Sequence, residues 1–253
     1  MSWRVVAASE IGTSHVANGT ACEDSCWAQV DTLSSGQPLL SIFVSDGAGS
    51  AKKGGEGAEI AIQSAADLLA KKLKHGEFGL SDMLATDLII AVRERIHAKA
   101  EADGLRARDF ACTFLGVLSS PLGTLVLQIG DGGVVLDVGA GLELAVIPMS
   151  GEFANMTHFV TDEDAISVLE TKTYADQALR VAAFSDGLQR LALNMAANTP
   201  HEPFFAPFFN GMARVTPEQE DQLQALLVRF LGNAAVNERT DDDKTLALAI
   251  RLP

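Results

Sequence analysis

The acids of this chain fall at the ends of its densest apolar runs. Glu23-Asp24 precede a strand-like segment, Asp46 closes the run Leu39–Ser45, and Asp131 sits in the turn Gly130–Gly133. Asp186 closes Leu179–Ser185, and Asp242 precedes the final apolar run. Carboxylates gathered at one rim of a β core repel one another, and hard divalent cations relieve that repulsion. Mg²⁺ and Mn²⁺ take all-oxygen ligands and retain several waters. Two such ions roughly 3.5–4 Å apart activate a water and hold a phosphoryl group for in-line attack. A single Asp-Gly pair is ordinary turn chemistry. What sets Asp46 and Asp186 apart is the buried-type strand ahead of each.

The elements that must position these acids can be read from the apolar spacing. Trp3–Ala8 and Cys26–Leu33 read as strands joined by a polar loop through Gly12 and Gly19, with a turn at Gln37–Pro38 before Leu39–Ser45. After the loop Asp46–Gly55, Ala58, Ala61, Ala65, Leu68, Leu69 and Leu73 share one helical stripe, and Leu84, Leu88, Ala91, Val92 and Ile96 share another. Phe110–Leu118, Thr124–Ile129, Val134–Val138 and Leu142–Val146 read as strands joined by short turns, which favours antiparallel neighbours. An irregular stretch, Pro148–His158, precedes a short helix at Asp162–Leu169 and the strand Leu179–Ser185. A helix at Leu188–Met195, an irregular Pro/Phe-rich segment, a helix at Pro217–Leu231 and a strand at Thr245–Arg251 complete the chain. Helices grouped between blocks of antiparallel strand predict an α+β fold, and the absence of any linker-like segment predicts one domain over 1–253.

Composition narrows the function. The 253 residues are 47% hydrophobic, enough for a sizeable core, and carry a formal net charge of −14. That charge, with no Lys/Arg stripe, argues against a nucleic-acid partner and against an anionic membrane surface. No apolar run approaches a transmembrane span, and the first residues lack a signal-peptide layout. Three cysteines, Cys22, Cys26 and Cys112, are too few for a disulfide framework and read as reduced thiols, so a cytoplasmic protein is expected. Gly47-Ala48-Gly49 lacks the third glycine of a dinucleotide loop, and no hydrolase or zinc motif is present.

Six segments in order carry a family resemblance. They are Ile11-Gly12-Thr13-Ser14-His15 with Cys22-Glu23-Asp24, Val44–Ala51, Ala111-Cys112-Thr113, Ile129-Gly130-Asp131-Gly132, Phe184-Ser185-Asp186-Gly187 and Asp242-Asp243-Lys244-Thr245. In these the chain resembles the metal-dependent protein phosphatases of the protein phosphatase 2C type, and more closely a compact bacterial subgroup. The resemblance implies a four-layer α-β-β-α sandwich, a central antiparallel β-sandwich flanked by helices. It implies hydrolysis of phosphoserine and phosphothreonine in proteins by metal-activated water, and a Ser/Thr kinase as the opposing partner. Asp46 would bridge two Mn²⁺ or Mg²⁺ ions, Asp186 and Asp242 would hold the first, and Glu23 with the Gly47 carbonyl the second. Asp24 would orient water, and Asp131 matches the position that helps bind a third, weaker ion. Five acids (Glu23, Asp24, Asp46, Asp186, Asp242) carry about five negative charges against the four positive charges of two divalent ions, so strict metal dependence is expected.

The sequence also departs from the family pattern. Where most members have an arginine that grips phosphate, this chain has Gly19, and His15 in the same loop is the expected substitute. Arg190 replaces an acid often associated with the third metal, and Asp242-Asp243 replaces the usual Asp-Asn. Ala48 stands where many eukaryotic members have a histidine, which leaves assistance to the leaving alkoxide with His15 or water. Pro203–Phe209 holds four of the twelve phenylalanines and reads as a core plug, with a partner-binding flap as the alternative. The Ser150–His158 loop is a candidate rim of the active site, and the remaining histidines (His75, His97, His158, His201) read as structural or solvated. A non-catalytic regulator on the same fold and a small phosphate-ester hydrolase are the competing functions.

Overall fold

The computed structural model describes residues 2–147 and 157–252. Its strands are β1 (Ser2–Glu10), β2 (Asp24–Thr32), β3 (Pro38–Asp46), β4 (Phe114–Ser120), β5 (Gly123–Ile129), β6 (Gly133–Asp137), β7 (Glu143–Leu144), β8 (Glu170–Tyr174), β9 (Arg180–Phe184), β10 (Leu193–Asn194), β11 (Thr199–Pro200) and β12 (Lys244–Leu252). Its helices are α1 (Thr13–Asn18), α2 (Gly54–His75), α3 (Asp82–Asp103), α4 (Gln189–Ala192), α5 (Glu202–Arg214), α6 (Asp221–Leu231) and α7 (Ala234–Asn237). One five-stranded sheet runs β1-β12-β9-β6-β7, the other β2-β3-β4-β5-β8, and neighbours within each are antiparallel. Among the described residues no helix is long and apolar enough to cross a membrane.

The dense apolar runs have a simple cause. In β3, Leu39 and Phe43 face the α2/α3 layer, while Leu40, Ile42 and Val44 face the opposite sheet. β4 alternates likewise, with Phe114 and Leu118 toward the helices and Leu115 and Val117 toward the sheet. Strand side chains alternate faces, so a strand covered on both sides reads as a nearly continuous apolar run, broken here only by small buried residues such as Ser41 and Ser119. In the first sheet, Leu246 and Leu248 of β12 and Ala182 and Phe184 of β9 meet α5 and α6. Ala183, Ala247 and Ala249 point into the layer between the sheets, where small side chains let the sheets approach. Three apolar layers therefore stack as helix, sheet, sheet, helix, the expected α-β-β-α order.

Several expected elements differ. Asp162–Leu169 forms successive turns instead of a helix: Ala165 N–H bonds to the Asp162 carbonyl and Ser167 N–H to that of Asp164. The Arg93 guanidinium donates to the Val160 and Asp162 carbonyls, which ties this segment to α3. β8 was not read from the sequence at all, because ETKTY is a polar edge strand with no apolar alternation. The polar loop at Gly12–Gly19 contains the short α1, and Leu188–Met195 shortens to α4 before turning into β10. Leu142–Val146 shortens to the two residues of β7.

The Pro/Phe-rich segment is the helix α5, not irregular chain. Pro203 lies in the first turn, where a backbone N–H has no helical acceptor, and Pro207 forfeits a single bond. Phe205 and Phe209 are buried in the core, and Phe208 packs edge-on against Phe230 of α6 with centroids 4.8 Å apart. Its aromatics plug the core as expected, but from one amphipathic helix. Most of the Pro148–His158 stretch, and so of the candidate rim, lies outside the described residues.

Candidate metal centre

β2 and β3 pair in a register that sets Asp24 opposite Asp46. The strand begins two residues earlier than its apolar content suggests, and this shift puts Asp24 inside the sheet. Thr113, next to β4, holds Asp46 in place. Its Oγ1 accepts the Asp46 N–H at 3.0 Å, its own N–H donates to the Asp46 carbonyl at 2.8 Å, and its carbonyl accepts Ser45 Oγ at 2.6 Å. Residues Ala111-Cys112-Thr113 thus fix the backbone under the central acid.

Asp24 is gripped from the other sheet. Ser185, just past β9, and Thr245 of β12 each donate a hydroxyl to Asp24 Oδ2 at 2.7 Å. Asp186 follows Ser185 directly, so the same turn that anchors Asp24 presents a second acid across the sandwich. Burial pushes the Asp24 carboxyl up to about 7, with the charges of Asp243 and Asp186 adding to the rise and the two hydroxyls opposing it. Burial likewise lifts Asp186 to about 6, with repulsion from Asp131 and Asp242. Asp46 is raised well above the carboxylate range by burial and by the nearby charges of Asp24, Asp186 and Asp242. Glu23 is raised by burial, partly offset by His15.

Two close approaches shape the rim. A Cβ on Gly47 would sit 2.3 Å from the Gly54 carbonyl carbon, and one on Gly187 would sit 2.0 Å from the Asp243 carbonyl oxygen. No side chain fits at either place without moving backbone. Gly47 N–H donates to the Glu23 carbonyl at 3.1 Å, which ties the third element of the site to the loop after Asp46. Glu23 and Asp24 also line an open cleft of about 410 Å³ with Lys52, Lys53, Glu56 and Glu59.

The structure brings Asp46 within electrostatic reach of Asp24, Asp186 and Asp242, and Glu23 within reach of Asp242. Asp131 lies beside Asp186, and its Oδ2 accepts Thr157 Oγ1 at 2.8 Å. His15 is in the first turn of α1 and turns inward, with Nδ1 3.0 Å from Asp243 Oδ2 and 3.1 Å from the Ala21 carbonyl. Arg190 is exposed and lines a separate cleft with His201 and Arg239. Among the described residues, the set of three ligand-type side chains whose donor atoms all lie within 4.8 Å of one another is His158, Asp162 and Asp164 rather than any three of the five acids, and in it Asp162 Oδ2 accepts Phe159 N–H and closes a turn.

The donor chemistry fits hard divalent cations. The group offers only carboxylate and carbonyl oxygen, and the buried Asp24 Oδ1 and Asp186 Oδ1 have no hydrogen-bond partner. Unpartnered buried carboxylate oxygens are costly unless a cation or proton meets them. Ser185, Thr245 and Thr113 were visible in the motifs but without a role. The repeated Ser-Asp at 45–46 and 185–186 was the available signal, since in both the hydroxyl serves a neighbouring strand.

A β-sandwich with acids meeting across the ends of both sheets, between two helical layers, defines a class of metal-dependent phosphatases. The chain matches the family model described as Protein phosphatase 2C over residues 11–232, and it belongs to that family. It is 60% identical to Serine/threonine-protein phosphatase 3 of Escherichia coli (strain K12) over 250 residues, 99% of each chain. Its fold is similar to that of the phosphatase Stp1 from Staphylococcus aureus, with a TM-score of 0.62 and 14% identity over 100% of this chain and 96% of that one. It is also similar to the catalytic domain of the phosphatase PstP in complex with two manganese ions, with a TM-score of 0.61 and 16% identity over 98% and 97% of the two chains.

Proposed function

We propose that this chain is a Mn²⁺- or Mg²⁺-dependent phosphatase of phosphoserine and phosphothreonine in proteins, acting as one catalytic domain over 1–253. The observation that carries the reading is the meeting of Asp24, Asp46 and Asp186 across two sheets, with buried carboxylate oxygens left unpartnered. Asp46 is assigned to both cations, Asp186 and Asp242 to one, and Glu23 with the Gly47 carbonyl to the other. Asp131, beside Asp186, is assigned to a third. Bound there, the cations supply Lewis acidity toward the phosphoryl oxygens and lower the pKa of water.

The chain's own groups do the rest. Asp24 is pinned through Oδ2 by the Ser185 and Thr245 hydroxyls, which fixes its carboxylate beside Asp46, and it is assigned to order water at the cation site. Water attacks phosphorus in line with the Ser/Thr oxygen, the P–O bond to that oxygen breaks, the proton lost by the water passes to solvent, the leaving oxygen takes one up to become the Ser/Thr hydroxyl, and inorganic phosphate leaves. No thiol is available as a nucleophile: burial raises Cys22 and Cys26 and pushes Cys112 up to about 12. His15 commits Nδ1 to Asp243, so any hold on a phosphoryl oxygen or the leaving alkoxide falls to Nε2.

Lys52 and Lys53 are the cations that line the cleft beside Glu23, and both have replaceable partners. Lys52 reaches Asp109 only at 3.9 Å, while Lys53 meets a Glu56 that also holds Lys99 at 2.9 Å. Lys52→Ala/Lys53→Ala together are expected to raise KM for a phosphothreonine peptide about five- to tenfold with kcat within about twofold, because rim cations add binding shared by ground and transition states. Unchanged KM would remove them from substrate binding.

The activity needs a kinase to supply its substrates, so a cognate Ser/Thr kinase is the proposed partner and the cytoplasm the proposed compartment. The test is hydrolysis of a phosphothreonine peptide with Mn²⁺, Mg²⁺ or EDTA. Turnover with either metal and none in EDTA is expected. Full turnover after chelation would refute metal dependence, and turnover of nucleotides alone would favour a small-ester hydrolase. Silence from a folded, Mn²⁺-binding protein would favour a regulator.

A further inference from the structure

Two charged side chains directly after Asp242 are buried, and beyond the contact of Asp243 with His15 they take no part in the chemistry above. Asp243 is 2% exposed and Lys244 0%. Asp243 Oδ1 accepts the Gly12 N–H at 2.6 Å, and its Oδ2 accepts the Glu23 N–H at 2.6 Å while facing His15 Nδ1 at 3.0 Å. Lys244 Nζ donates to the Ile11 carbonyl at 3.0 Å, to Asn237 Oδ1 at 3.0 Å and to the Asp242 carbonyl at 3.3 Å. Three ammonium hydrogens meet three acceptors, and both carboxylate oxygens meet N–H donors. Together they seize both ends of the segment Ile11–Glu23 and the carbonyl of Asp242.

We propose that Asp243 and Lys244 are positioning residues, a clamp that sets Glu23 against Asp242 before any cation arrives. The proposal rests on the reading of Glu23 and Asp242 as cation ligands. The carboxylate itself is required. An asparagine offers one acceptor, so its amide nitrogen would oppose either the Gly12 N–H or the Glu23 N–H, donor against donor. Restoring the family's usual Asp-Asn pair in this chain is therefore expected to harm the site. Methionine at 244 fills similar volume but strands the Ile11 and Asp242 carbonyls.

The experiment compares wild type, Asp243→Asn, Lys244→Met and, as a structural control, Leu88→Ala in the α3 core, in Mn²⁺-binding isotherms and in thermal melts in EDTA. The two clamp variants are expected to weaken Mn²⁺ binding about 10- to 100-fold, the range for partners that orient ligands. Leu88→Ala is expected to lower Tm with Mn²⁺ affinity unchanged. Mn²⁺ affinity in the clamp variants equal to that of wild type, or to that of Leu88→Ala, overturns the clamp. Wild type that binds no Mn²⁺ overturns instead the reading of the metal centre. A measurement on the unaltered protein covers variants that fail to fold. In metal-free wild type the Gly12 and Glu23 amides are expected to exchange at least about a hundredfold slower than in unstructured chain. Free exchange at those amides in EDTA overturns the proposal.

Discussion

Asp46→Asn is expected to cut Mn²⁺-dependent phosphatase activity by at least about a thousandfold, roughly 4 kcal/mol of transition-state stabilisation, and to make the metal-free protein more stable. The two effects have one cause. Asp46 ends β3 opposite Asp24, and its carboxyl is disfavoured by burial and by Asp24, Asp186 and Asp242. An amide keeps the shape, carries no charge and leaves the backbone bonds to Thr113 untouched. Relieving repulsion among buried acids gains on the order of 0.5–2 kcal/mol in EDTA, the usual exchange of stability against function at an active site. The same change removes the one carboxylate assigned to both cations, so the Tm rise that Mn²⁺ gives wild type should shrink. Kinetics and paired melts at pH 8 check both halves. Retained turnover, or a variant less stable than wild type in EDTA, would show that Asp46 is not the shared ligand of a charge-strained cluster.

How far this centre could be read from sequence depended on where burial comes from. β3, β4, β9 and β12 are legible because helices cover one face and the other sheet the second, which makes the middle of each a dense apolar run. β2 and β8 lie at the edges of their sheet, and there the signal fades. The start of β2 was therefore placed too late, at Cys26, which hid the register of Asp24 with Asp46. The turns at 162–168 mimic a helix because Ala165, Val168 and Leu169 fall at i, i+3 and i+4, while the Arg93 bonds that tie the segment to α3 come from 67 residues away or more. Proline suggested irregular chain at 203–209, but in the first turn of α5 it costs little. Strand-end acids were visible singly, and their order suggested a common rim. Their convergence was not, because Ser185 and Thr245 reach Asp24 across 161 and 221 residues. The burial of Asp243 and Lys244 left no mark in the sequence, since a charge run before a strand reads as solvated rim.

The same buried acids fix a pH dependence whose sign is opposite to that of ordinary surface pairs. In metal-free protein Asp24 is lifted to about 7 and Asp186 to about 6, and Asp46 also rises. Unfolded aspartates lose their protons near pH ~3.9. Above that value the folded chain holds more protons than the unfolded one, so stability falls as pH rises until the folded groups have ionised. The loss runs from about pH 4 to about pH 8 and is on the order of several kcal/mol. Asp137, drawn down by Arg180 and the Gly139 and Gly141 N–H groups, behaves oppositely: its contribution is present above pH ~4 and lost below. Metal-free Tm is therefore expected to peak at about pH 4 and to fall toward pH 8. Cations compete with those protons, so Mn²⁺ affinity should climb through the same interval, with protons released on binding. The Tm gain from Mn²⁺, which follows ligand concentration over Kd, should be small at pH 5 and largest at pH 8. Melts with Mn²⁺ and with EDTA from pH 5 to 8, alongside proton release in two buffers, measure it. A metal-free Tm that rises across that interval, or a Mn²⁺ gain independent of pH, would mean that these acids are ionised and satisfied without a cation.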